Sequence, residues 1–129
     1  MITPAQKMMR TYPILGLMTT LWLAGCGGGN QAPEAVSLSA APGAVRGAFD
    51  TAKPDLKKAA DEAGQALADG AYDVSLGRIA ELSARQDLSA EQRQALAQSR
   101  VAVMKKLQEA AAAGDARSGQ IMEMHRATK

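Results

Sequence analysis

The chain has 129 residues, with 15 basic and 13 acidic side chains, a formal charge of +2, one cysteine and one histidine. A single cysteine excludes an internal disulfide and a thiolate zinc site. With aromatics at 3% and no basic cluster beyond Lys57-Lys58 and Lys105-Lys106, the sequence lacks the charged, base-stacking surface of a nucleic-acid binder.

The first element in chain order is an apolar run. Lys7 and Arg10 precede it and account for the whole excess of bases, since the first acid is Glu34. Pro13 to Ala24 then carries Ile14, Leu15, Leu17, Met18, Leu21, Trp22 and Leu23, and small residues follow around Cys26. This is the order of a secretory signal: positive start, apolar middle, small residues at a cut. The run falls short of the roughly 20 apolar residues of a spanning helix. Its last residues, Leu23-Ala24-Gly25-Cys26, resemble the lipobox of bacterial lipoprotein signal peptides. The resemblance implies that residues 1–25 are removed and that Cys26 carries diacylglycerol and becomes the first residue. Two or three acyl chains anchor stably where one is marginal. Gly27, rather than aspartate, after the cysteine implies the outer membrane of a diderm cell, facing the periplasm. The alternative is an ordinary secretory signal with an incidental cysteine.

Residues 26–43 lack periodicity and are rich in Gly, Ser, Pro and Ala, which predicts a flexible tether. Residues 44–129 form the remaining domain, and its pattern is all-α: a small alanine-rich bundle or hairpin array of three to five helices. Val45 and Phe49 either add a short leading helix or fold back onto the core. Lys53-Pro54-Asp55 is a helix start, with proline in the first turn and an acid beside it. Leu56, Ala60, Ala63 and Leu67 then share one face, and Gly70 stops the helix in a left-handed cap. Tyr72, Leu76, Ile79 and Leu82 mark a second stripe. Ser89-Ala90-Glu91-Gln92 matches a capping box and opens a long helix with Leu96, Val103, Leu107 and Ala110 on one side. Gly114-Asp115 is a stop followed by a new cap, and Ile121 and Met124 mark a last short helix.

Gly70-Ala71-Tyr72-Asp73-Val74-Ser75 resembles the turn between the two helices of a tetratricopeptide repeat, with Ala63 before it and Ile79 and Leu82 after it at packing positions. Ser75, Asp87 and Ala59 depart from that pattern, where the repeat has alanine, proline and an aromatic. A second glycine turn comes 44 residues later rather than after the usual 34. The resemblance implies a helical hairpin able to present a groove to peptides or partner helices.

No arrangement of nucleophile and base, paired carboxylates or phosphate-binding glycines appears, so the expectation is a non-enzymatic protein without a cofactor. A partner in the envelope is expected to meet the face of Tyr72, Leu76 and Ile79, or the long helix from Val101 to Leu107. About a quarter of the chain after Gly25 is alanine, which buries little area per residue, so self-association to a homo-oligomer is a second way of completing the core. Two further readings stand beside these. Met122 and His125, at i and i+3 with Met104 as a third ligand, carry the soft donors of a weak copper site. Lys129 gives the chain the terminal lysine found in lipoproteins that are joined to peptidoglycan, which implies a tether between membrane and wall.

Overall fold

The computed structural model describes residues 35–128. The expected signal, the expected lipidation at Cys26, the first part of the expected tether and Lys129 lie outside them. Five α-helices make up the described part: α1 (Ala41–Ala48), α2 (Pro54–Ala68), α3 (Tyr72–Ser83), α4 (Ala90–Ala112) and α5 (Ala116–Ala127). Among the described residues there is no strand, and no helix is long and apolar enough to cross a membrane.

Most helix boundaries follow from local chemistry. Pro54 sits in the first turn of α2 with Asp55 beside it. At the other end Gly70 has φ +70°, and the amides of Ala71 and Gly70 donate to the carbonyls of Ala66 and Leu67 at 2.9 and 3.2 Å. That pairing satisfies carbonyls the helix itself leaves open, and it needs a left-handed residue, which glycine adopts without steric cost. Gly114 (φ +99°) repeats the device after α4, with Asp115 and Gly114 donating to Ala110 and Ala111. Ser89 Oγ accepts from the Gln92 amide at 3.1 Å, and Gln92 Oε1 accepts from the Ser89 amide at 2.9 Å, so the capping box is reciprocal. Asp115 caps α5 by accepting from both the amide and the hydroxyl of Ser118.

The domain starts earlier than the expected boundary at residue 44. Ala41 is fully buried and opens α1, while Val36 and Leu38 pack half-buried against the core. The Ala40 amide donates to the Ser37 carbonyl and hydroxyl at 3.0 and 3.3 Å, forming a turn that feeds the helix. Pro42 then stands in the first turn, where its missing N–H costs nothing. Of the two alternatives for Val45 and Phe49, the leading helix is what forms. Val45 is inside it, and Phe49 follows it with no exposed surface.

The core gathers Val45 and Phe49 with Leu56, Ala60, Ala63 and Leu67 of α2, Leu76, Ile79 and Leu82 of α3, and Leu96, Val103 and Leu107 of α4. Helix α2 packs on α1 and α3, while α4 packs on α1, α3 and α5. Gly64 lets α1 approach α2, since a Cβ there would meet the Arg46 side chain at 2.9 Å and the Pro42 carbonyl at 3.3 Å. In α5 the apolar residues divide differently from the expectation. Ile121 is buried and Met122 half-buried, whereas Met124 is 60% exposed, because α5 turns its 121–122 edge toward the core.

Candidate functional site

The structure corrects the first expected contact face. Leu76 and Ile79 are 5% and 1% exposed and lie within the core, so neither side chain is available to a partner. Tyr72 is half-buried and packs against the same core. Their spacing is that of an amphipathic helix, and its apolar stripe is consumed by packing on α2 and α4.

The second expected region, Val101 to Leu107, is split in two by the fold. Val103 and Leu107 face inward with Leu96 and Ser99. Val101, with Ala97 and Met104, is half-buried and lines a groove of about 610 Å³ on the other side of the same helix. Met122 of α5 and Ser83, the last residue of α3, complete its walls. A volume of this size is within the usual range for small-molecule sites. Two of its apolar residues are methionines, whose flexible thioethers adapt to irregular shapes.

Cations border this apolar floor. Arg93, Arg100 and Lys105 line the groove together with the neutral Gln108, and no carboxylate does. None of the three cations forms an ion pair among the described residues. Arg93 Nη2 donates to the Gln86 carbonyl at 3.3 Å, and Arg100 Nη2 lies 2.8 Å from His125 Nε2. Arginine only donates, so this contact is a hydrogen bond in the tautomer in which His125 accepts through Nε2. That bond joins α4 to the last turn of α5. Each guanidinium keeps further N–H groups for another acceptor.

The local sequence explains the arrangement. Between Glu91 and Glu109, α4 carries Arg93, Arg100, Lys105 and Lys106 and no acid. Residues 93, 97, 100, 104 and 108 recur at intervals of three and four, so they line one edge of the helix. This basic run was visible in the sequence. Its apolar neighbours were not separable from the core stripe, because both faces of α4 hold small and medium apolar residues.

Several charges on α2, α3 and the loops beside them are matched. Arg85 bonds Asp55 at 3.2 Å and both oxygens of Asp87 at 3.0 Å. The hydrogen bond from Arg85 holds both carboxyls below their ordinary range. Lys57 pairs with Asp50, Arg78 with Glu62 and Glu81, and Arg117 with Asp73. These exposed pairs contribute little stability individually. They contrast with the α4 groove, where three cations border open apolar surface.

The residues of the copper reading are placed as follows. Met104 and Met122 share the groove, and His125 gives its Nε2 to Arg100. A guanidinium at 2.8 Å occupies that nitrogen's lone pair and opposes a metal cation there. Among the described residues, no group of three or more His, Cys, Asp or Glu side chains is assembled as a metal site. Compared with protein-family models, curated proteins and solved structures, the chain matches none.

Proposed function

We propose that the chain is a non-enzymatic lipoprotein of the cell envelope, a helical binding module held at the membrane through Cys26. The anchor rests on the lipobox-like Leu23-Ala24-Gly25-Cys26. The binding role rests on one observation above the others: an apolar groove along α4 bordered by three cations that no carboxylate neutralises. Burying a charge against a neighbour of like sign is costly, and an uncompensated cationic rim selects against cationic partners while attracting anionic ones. Elsewhere several exposed acids and bases pair with one another, as Arg85 does with Asp55 and Asp87.

Anchoring is tested by intact mass and membrane fractionation of wild type and Cys26→Ala in a diderm host. The expected wild-type species begins at Cys26, carries a diacyl or triacyl mass and pellets with membranes, and the variant does neither. A wild-type chain that still starts at Met1 without acyl groups would overturn the anchor.

A further inference from the structure

We infer that the groove along α4 binds a single-chain amphiphile with an anionic head, a long-chain carboxylate being the simplest member of the class. The inference deepens the binding-module reading and rests on it for the choice of face.

Size favours an acyl chain. The groove's volume of about 610 Å³ lies in the range of small-molecule sites. From Arg93 to Gln108 the helix α4 advances about 22 Å at 1.5 Å per residue, a run that an extended polymethylene chain can follow. The groove's floor of Ala97, Val101, Met104 and Met122 supplies apolar contact without a hydrogen-bonding group that a hydrocarbon would leave unpaired.

Charge decides the head group. Arg93 and Arg100 stand seven residues apart on one edge of α4, and Lys105 lies on the adjoining edge. Both guanidinium groups have only one hydrogen bond each within the domain, so either is equipped to hold a carboxylate through two parallel N–H donors. A chain lying in the groove meets a cation at either end of the stretch from 93 to 105, so the head group is held whichever way the chain runs.

The test uses the full chain carrying Cys26→Ala, which removes the covalent acyl group as a competitor. Laurate and palmitate, below their aggregation limits, are titrated in by calorimetry. Dodecyltrimethylammonium serves as a probe of equal chain length and opposite charge. One saturating site is expected for the carboxylates and none for the cation. Two variants report on the groove itself: Val101→Glu, which puts an acid into the floor, and Arg93→Gln, Arg100→Gln, Lys105→Gln together. Each should weaken laurate binding about tenfold or more, the usual worth of a charge-assisted contact, with the helical circular dichroism retained. Absence of saturable binding overturns the inference, as does equal binding of the cationic probe or indifference to both variants. An acidic amphipathic peptide that displaces laurate and binds more tightly also overturns it, and turns the groove into a helix site. Because Cys26 is absent throughout, these outcomes are independent of anchoring. A lipidated chain that ignores laurate loses only this ligand, and an unlipidated chain that binds it loses only the anchor.

Discussion

The two sides of α4 make different use of similar residues. On one side Leu96, Ser99, Val103 and Leu107 are closed off by α1, α3 and α5. On the other, Ala97, Val101 and Met104 remain half-covered beside arginines and a lysine. Hydrophobic burial accounts for the first side, since a packed leucine or isoleucine contributes a few kcal/mol. It leaves the second side unexplained, because folding gains little from residues it does not finish covering. Apolar character alone therefore does not tell a core position from a binding position. The distinguishing features are incomplete coverage and the charge that surrounds it.

Truncation on the closed side should have the largest effect. Leu96→Ala or Leu107→Ala is expected to cost about 2–5 kcal/mol in urea unfolding, through lost transfer energy and a residual cavity. That is a large share of the ~5–15 kcal/mol available to an ordinary domain. Ser99 sharpens the comparison in the other direction. Its hydroxyl is fully buried without a hydrogen-bond partner, so Ser99→Ala should raise stability by about 1 kcal/mol, seen as a higher unfolding midpoint. A lowered midpoint would mean that the hydroxyl is satisfied in solution. On the open side, Val101→Ala should shift the midpoint by less than about 0.5 kcal/mol, as for a surface position. A loss as large as that of Leu96→Ala would make the groove part of the core and erase the contrast.

The smallest expected effect comes from the matched charges. Arg85 lowers the carboxyls of Asp55 and Asp87, and the Ser118 hydroxyl lowers that of Asp115. A carboxyl depressed in the folded state contributes its stability above the unfolded value and loses it as pH falls through the folded one. The thermal midpoint should therefore decline below about pH 4, and less steeply in Arg85→Gln. A midpoint indifferent to acid in both proteins would show that these pairs do not act on folding.

Much of this fold was legible because its signals are local. Pro54, the Ser89–Gln92 box, Gly70 and Gly114 each act within one turn of chain, and all stand where their chemistry requires. The start of α1 was hidden because Ala41-Pro42-Gly43 has a linker's composition. Its helical state depends on the distant apolar surface that buries Ala41. The site was less legible. Leu76 and Ile79 carry the same periodic signature whether they face a core or a partner, and only the surrounding helices decide which. The groove was obscured for a related reason: with apolar residues on both sides, α4 shows no single stripe. Its acid-free basic run was the one available hint.

The turn at Gly114 also acts as a gear. It reverses the chain and fixes the rotation of α5 about its own axis, which is why Met122 rather than a neighbour forms the far wall of the groove. Each residue turns a helix by about 100°, so a single insertion between Gly114 and Asp115 would swing α5 by more than a quarter revolution. Ile121 would leave the interior, Met122 would leave the groove, and His125 would rotate away from Arg100. The length of this one reversal is therefore under the same constraint as the side chains of the groove, although no atom of the turn belongs to it.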